Sequence, residues 1–511
     1  MAAKHPSFKP YYQDQLLMLP PKLEDLIPKQ HPVRIVNDVI NKINLEPLLK
    51  AYHIKGGSNY HPQMLLKVLV YGYVTNIYSS RKLEAVCRES IYFMWLSAMN
   101  YPDHNTINRF RGVRLKHALR QVFEDVVQLL AQEGLLSIDE IYTDGTKIEA
   151  NANKYTFVWK KSIQTNKEKM KRQLQDIWNY AQNIAADEDR MPEPPDFTTV
   201  NTQNVEATVE KLNQALANKD GVDKKVKAKL RYVTKNFPEN IAKYEKQEAI
   251  LGERNSYSKT DPDATFMRMK EDHMLNGQLK PGYNVQISTS NQFIVNYTIH
   301  PNPTDTNTLP AHLEQHESSF GHAPEILTAD AGYGSEENYS LLEQKAVKAF
   351  VKYNMFDKGQ SENYNSKHPF HSEKLFYNQE QDVYICPMGQ QMHYIGDLNR
   401  RTSTGFIQSY RRYQAKNCGT CPLNGVCHKS KGNRVVDVNV NLRRQKQKAH
   451  ELLNSPQGIR QRKKRCFDVE PVFANIKQNH GFRRFMLRGK QKVEIEWGLL
   501  AIAQNIRKKA A

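Results

Sequence analysis

The alternation of strand and helix signals between residues 137 and 353 constrains this chain most. Ser137–Asn151 has β-branched and apolar residues at strand spacing, and strand signals return at "GYNVQISTS", "QFIVNYTIHP", "EILTAD" and "AFVKY". Between them "NTLPAHLEQHESSFG" and Ser335–Lys348 have helical spacing. An initial hairpin about Ser290-Asn291 followed by alternating elements predicts an α/β sheet of mixed direction. A charged helical stretch from about 157 to 255 separates the first strand from its neighbours. Two runs within it, "KEKMKRQLQDIWNYAQNIAADEDR" and "VKAKLRYVTKNFPENIAKYEKQEAILGER", flank the Pro/Asp-rich "MPEPPDF", as in an inserted helical hairpin acting as a solvated spacer.

Within the first strand, "EIYTDGTKIEANANKY" (140–155) is ambiguous. Asp-Gly between apolar runs is a strong hairpin signal. The alternative is one long strand carrying the Asp144 carboxylate in its middle, with glycine present because something approaches the backbone closely. Asp330 ends the strand "EILTAD" before a glycine turn, at the end of a sheet strand where α/β proteins keep their sites. An aspartate there also serves as a turn or helix cap. Near the C-terminal end of the chain, Glu470, Phe473 and Lys477 fall at i, i+3 and i+7 on one helical face, with Arg483, Arg484, Arg488 and Lys490 close behind. A carboxylate among so many cations repels phosphate unless a divalent cation sits between the two.

Residues 14 to 135 have helical periodicity throughout, and Asp103 or Asn105 begins a short helix presenting Asn108, Arg109 and Arg111, a layout compatible with a helix-turn-helix. The charge is unevenly placed. Of the net +19, residues 400 to 465 contribute 17 Lys/Arg against two acids and residues 466 to 511 nine against four, so the first 399 residues sum to −1. That density predicts a polyanion partner, nucleic acid above all; the alternative is a solvated basic tail. "MLLKVLVYGYV" is too short and too interrupted by Lys67 to span a membrane, and "MAAKHPSFKPYYQDQ" lacks an apolar secretory core, so a soluble intracellular protein is expected.

Four cysteines, Cys386, Cys418, Cys421 and Cys427, form a C-x31-C-x2-C-x5-C set in a turn-rich segment. Such a set predicts structural Zn2+, with an iron–sulfur cluster as the competitor and His428 or the more distant His393 as substitute ligands. Arg411, Arg412, Lys416 and Lys429 around this knuckle are expected to face DNA. Cys87 lies on an apolar helix face, where it is expected to be core.

"TDGTKIEANANK", "LTADAGYGS" and "VEPVFANIKQNHGFRRFMLRG", in this order and with the cysteine set, closely resemble bacterial insertion-sequence transposases of the DDE class, from about residue 14 to 509. The resemblance implies a ribonuclease H-like core, a mixed five-stranded sheet with helices. It also implies that Asp144, Asp330 and Glu470 hold two Mg2+ or Mn2+ ions per site, and that Lys477 is the family's lysine seven residues after the glutamate. The family's arginine four residues before the glutamate falls on Cys466 here, which leaves Arg465 or Arg462 for that role. Pro471 is accommodated if Asp468 caps a helix whose first turn holds Glu470. A homodimer or larger synaptic complex acting on terminal inverted repeats and target DNA is implied, in the bacterial cytoplasm and associated with the nucleoid.

The expected organisation is a helical DNA-binding domain (1–135), a catalytic core in three parts (136–156, 261–353 and 437–511), a helical insertion (157–260) and a zinc-binding insertion (354–436). The last part of the core adds basic helices.

Overall fold

The run "MLLKVLVYGYV" becomes most of the helix Pro62–Val74, buried on nearly every side in a helical unit. Lys67, which ruled out a membrane span, donates to Asn37 Oδ1 (2.7 Å), and burial lowers its pKa. Val36 and Ile40 from Pro32–Lys42, Leu83 from Ser80–Glu89 and Phe93 complete that core. The computed structural model describes residues 22–50, 52, 59–185, 201–216, 222–269 and 277–511. Its contacts divide into two units, one comprising the chain up to Val126 with Leu499–Ala511, the other Val127–Gly498. The expected helices before residue 22 and the linker "MPEPPDF" lie outside the described residues. Among the described residues no helix is long and apolar enough to cross a membrane.

The second unit contains β1 (Glu140–Glu149), β2 (Phe157–Trp159), β3 (Ser256–Ser258), β4 (Thr265–Arg268), β5 (Leu279–Ser290), β6 (Phe293–His300), β7 (Ile326–Ala329) and β8 (Lys348–Val351). The sheet is mixed as expected, but has six strands rather than five. β1 lies between β5, antiparallel, and β7, parallel, and β8 extends the parallel side. On the outer edge of β5, β6 and the unforeseen β4 follow one another, pairing with Asn284–Ser290 and Leu279–Gly282 respectively. The hairpin between β5 and β6 turns on Asn291 and Gln292, both at positive φ (54° and 68°), as a tight two-residue turn requires.

Two other expectations are corrected. The helical insertion is not a hairpin: Lys160–Ala185, Thr202–Leu216 and Lys224–Leu251 bury Trp178, Leu212, Val233 and Ile241 in a core of their own. The missed middle helix adds Val205, Val209 and Leu212 to that core. The cysteine region is not merely turns. β9 (Phe376–Asn378), β10 (Val383–Ile385), β11 (Gln391–Arg401), β12 (Ile407–Gln414) and β13 (Val435–Val438) form an antiparallel sheet in order 13-12-11-10-9, packed on Tyr384, Met392 and Tyr413. Three of these strands are only three or four residues long and β11 buries a single residue, Met392, which leaves little alternation to read.

Candidate active site

β1 runs unbroken through Asp144-Gly145, which settles the ambiguity in favour of one strand. Its parallel register with β7 pairs Thr143 with Ala329, so Asp144 and Asp330 are the next residues on neighbouring strands and stand level. Parallel neighbours lie about 4.8 Å apart, so sheet order alone brings together carboxylates nearly two hundred positions apart in the chain. Asp330 also caps, accepting from Gly332 N–H (2.8 Å) at the start of the turn Ala331–Tyr333.

Glu470 arrives on the helices that follow. Ser455 caps Pro456–Asp468, with Pro456 in the first turn where its missing N–H costs nothing. Gln461, Arg465 and Asp468 share the face of that helix turned to the sheet, one turn apart. Gln461 Oε1 accepts from the Tyr142 hydroxyl (2.5 Å) and from Thr328 (3.3 Å), spanning β1 and β7. Asp468 does not cap the next helix as expected. It is buried and accepts from the Thr289 hydroxyl (2.6 Å), Asn291 N–H (2.9 Å) and Gln292 N–H (3.1 Å), which moors the helix to the hairpin turn. Glu470 and Pro471 open Glu470–Ala474, which continues into a π-helical turn at Asn475–Asn479 holding the buried Lys477. A π turn advances fewer degrees per residue than an α turn, so Lys477 lags behind the face predicted from α-helical spacing.

Arg465 is the hinge of the site. With only 14% of its side chain exposed, it reaches Asp144 Oδ2 through Nη1 and Glu470 Oε1 through Nη2, each at 3.3 Å. One guanidinium thus joins two of the three expected metal ligands, and a divalent cation bound there must displace it. Among the described residues no group of three His, Cys, Asp or Glu stands in metal-holding geometry. The donor set nevertheless suits a hard divalent ion, being carboxylate oxygens around a position that a cation already occupies.

A further acid, unforeseen from sequence, lies on the face of the sheet that carries Asn284 and Gln286, opposite that of Asp144. Asp305, in the loop after β6, accepts at Oδ1 from Asn284 Nδ2 (2.8 Å) and Gln286 Nε2 (2.9 Å). The hydroxyl of the buried Tyr333 donates in turn to Gln286 Oε1. Burial, then the charges of Asp305, Asp144 and Asp330, hold that phenol well above its ordinary pKa, while Arg465 opposes the shift. Tyr333 therefore stays a donor. The only signal in the sequence was the polar alternation Asn284, Gln286, Ser288 along β5, unusual in a strand buried on both faces.

The expected DNA contacts are mostly occupied within the molecule. Arg111 is buried and donates to the Tyr78 carbonyl (2.7 Å), so the short helix capped by Asp103 exposes Arg109 but not Arg111. Arg411 pairs with Asp382 (2.6 Å) and Arg412 with Asp437 (2.9 Å), while Arg462 lies over Phe356. Arg484 and Arg488 clasp the carbonyls of Ala150, Ala152 and Asn151, tying "FRRFMLRG" to the end of β1. Arg483 is exposed and donates to Gln478; Lys490 is exposed, 3.8 Å from Glu494. Arg444 and Lys448 both meet Glu343, and Lys446 meets Glu373. The local excess of positive charge is thus partly matched by acids from earlier in the chain.

All six cysteines are free thiols. Cys386, Cys418, Cys421 and Cys427 line one cavity of about 20 Å³, room for a single water-sized occupant, with His428 and Arg434 beside them. Gln390 N–H donates to Cys386 Sγ (3.3 Å) and Arg434 N–H to Cys418 Sγ (3.4 Å). Arg434 Nη1 donates to Cys427 Sγ (2.8 Å). His393 is paired in β11 with Gln414, away from this cavity's lining. Cys87 is buried, as expected, and burial pushes its thiol up to about 11.

Residues 385–510 match the family model of a transposase DDE domain, and residues 21–112 match that of a transposase domain (DUF772). The first match contains Glu470, Lys477 and the four cysteines; Asp144 and Asp330 lie outside both. No curated protein and no solved structure matches the chain.

Proposed function

We propose that this chain, which its two domain matches indicate to be an insertion-sequence transposase of the DDE class, binds the terminal inverted repeats of its element, cleaves there and joins the 3′ ends to target DNA. Asp144, Asp330 and Glu470 hold two Mg2+ or Mn2+ ions in this reading. The observation that carries it is the level placement of Asp144 and Asp330 on parallel neighbours, with Arg465 linking Asp144 to Glu470. A central β1 flanked by a parallel and an antiparallel partner supports a ribonuclease H-like core.

When bound, the ions supply charge neutralisation at the attacking and leaving oxygens of the phosphodiester. The chain's own residues do the rest. Asp144 and Asp330 present oxygens from a rigid sheet, and Asp468 fixes the approach of Glu470 by anchoring its helix to the hairpin. Arg465, once released from its two carboxylates, has a planar fork suited to a phosphate, the role open to it in place of Cys466. Arg109, Arg483 and Lys490, exposed, supply a salt-sensitive backbone grip. Cys386, Cys418, Cys421 and Cys427 hold structural Zn2+, which ties the loop before β13 to the turn after β10. The protein acts as a dimer or larger complex, since two ends are handled together.

The test is incubation with labelled element ends and Mg2+. Asp144→Ala, Asp330→Ala and Glu470→Ala are expected to keep end binding and lose cleavage. Wild-type cleavage by any of the three removes that residue. Binding without nicking by the wild type would favour a DNA-binding protein that has lost catalysis, and nicking without joined products a nuclease.

A further inference from the structure

We propose that the outer face of the β11–β12 hairpin reads base edges in the major groove of the element ends, an inference that rests on the end-binding reading above. β10 pairs with β11 only through Gln391–His393, and β13 with β12 only through Arg411–Gln414. Beyond those contacts Leu398–Arg401 pairs with Ile407–Tyr410, and among the described residues no third strand joins them. The result is a two-stranded arm extending past the sheet, its tip closed by Thr402 N–H donating to the Phe406 carbonyl (2.9 Å). Strand alternation puts Leu398, Arg400, Gln408 and Tyr410 on one face of the arm, and Arg400 lies over the Tyr410 ring. That face is tied to the molecule: Gln408 donates to the buried Glu336 (3.2 Å), and Arg400 pairs with Asp437 (2.7 Å). At the tip Thr404 donates to Glu337 Oε2 (2.6 Å). Glu336 and Glu337 open the helix Glu336–Gln344, which begins shortly after Asp330, so the arm is held near the turn that this aspartate starts.

The opposite face carries Asn399, Arg401, Ile407 and Ser409, all four exposed. Ile407 leaves 62% of its surface to solvent, so nothing within the chain uses its apolar side chain for packing. Ser409 donates to Asn399 Oδ1 (2.8 Å), which fixes the amide and leaves its nitrogen as a donor. Arg401 donates through Nε to the Gly405 carbonyl of its own turn (3.3 Å), and its two Nη groups remain for another acceptor. Asp397, the next residue along this face, accepts from the Tyr394 hydroxyl. A guanidinium, an amide, a hydroxyl and an aliphatic side chain are the groups that recognise guanine, adenine and the thymine methyl in the major groove, which also admits a two-stranded ribbon. Charge favours the same partner, since residues 400 to 465 hold 17 Lys/Arg against two acids.

The test titrates the full-length wild type and Arg401→Ala with the element-end duplex and with a shuffled duplex of the same composition. Arg401→Ala is expected to weaken end binding about five- to hundredfold, the discrimination carried by one arginine–guanine pair, and to leave binding of the shuffled duplex nearly unchanged. Ends carrying 7-deazaguanine, which lacks the N7 acceptor in the major groove, are titrated in parallel. At one guanine at least, this substitution should weaken the wild type and leave Arg401→Ala unaffected. Equal losses on both duplexes would mean a backbone contact and overturn the inference. So would a wild type indifferent to 7-deazaguanine at every position. Should Arg401→Ala unfold, Ile407→Ala decides against ends with uracil in place of thymine: a methyl effect present in the wild type and lost in the variant supports the inference, and its absence from the wild type counts against it. A wild type that binds ends no better than the shuffled duplex would instead defeat the end-binding reading itself.

Discussion

Gly145→Ala adds one methyl group where the Gln286 amide and the Asp305 carboxylate stand close against the backbone. The backbone there pairs regularly with Gln286 in the β ladder, so alanine meets no conformational obstacle. The obstacle is space, since the new Cβ would come within 2.5 Å of Asp305 Oδ1 and closer still to the Gln286 amide. Alanine limits the unfolded chain and thereby contributes about 0.4–1 kcal/mol of stability. Against this, overpacking costs about 1–3 kcal/mol. Displacing the Gln286 amide from the Asp305 carboxylate costs roughly 1.5–3 kcal/mol before relaxation. The net expectation is a loss of about 2 kcal/mol, read as a fall in Tm of roughly 4–8 °C, together with lost metal-dependent nicking of labelled ends. Gly112→Ala is the control: its Cβ would meet nothing within 4 Å, and the position is helical. There alanine should raise Tm slightly, in line with a gain of roughly 0.5–1 kcal/mol. If Gly145→Ala melts with the wild type and cuts at the wild-type rate, close approach is not why glycine stands beside Asp144.

Three other outcomes are expected. Removing the resident guanidinium with Arg465→Gln deletes two partly screened ion pairs worth roughly 0.5–1 kcal/mol each, so Mn2+ should bind about five- to thirtyfold tighter in calorimetry; unchanged affinity would mean that Arg465 does not compete with metal. Of the six free thiols, a native, zinc-loaded protein should expose only Cys466 to an aromatic disulfide reagent, with the four knuckle cysteines added on chelation and Cys87 only on unfolding; five reactive thiols before chelation would argue against bound zinc. His316 is fully buried, and burial lowers its pKa to about 4, so the folded state keeps it neutral where the unfolded chain would protonate it. Stability from this group is therefore whole above pH 6.5 and falls by up to about 3 kcal/mol as pH drops toward 4, a slope that His316→Leu should remove from urea titrations.

Much of the fold could be read directly. Helical and strand periodicities are local properties of side-chain spacing, and they located the strands that make up β1, β5, β6, β7 and β8, the N-terminal helices and the basic C-terminal helices. The three acids stood out in the sequence only through the family resemblance of the stretches that hold them, and the four cysteines through their spacing. Strands β9 to β13 escaped notice because β9, β10 and β13 are only three or four residues long and β11 has a single buried residue, Met392, so few positions carry an apolar alternation.

What no stretch of sequence contains is which groups meet across hundreds of positions. By sequence Arg465 is one of two candidates for the family's arginine, and only packing of its helix over β1 turned it onto Asp144 and Glu470. Nothing in the sequence singles out Asp305, and only the placement of Asn284 and Gln286 on β5 gave its carboxylate two donors. Arg111 entered a core, and Arg411, Arg412, Arg444 and Lys448 found acids supplied by other elements. Residue type determines what a side chain is able to do. Its partner, and hence whether a charge faces water, DNA or another charge, depends on long-range packing that the tertiary structure alone decides.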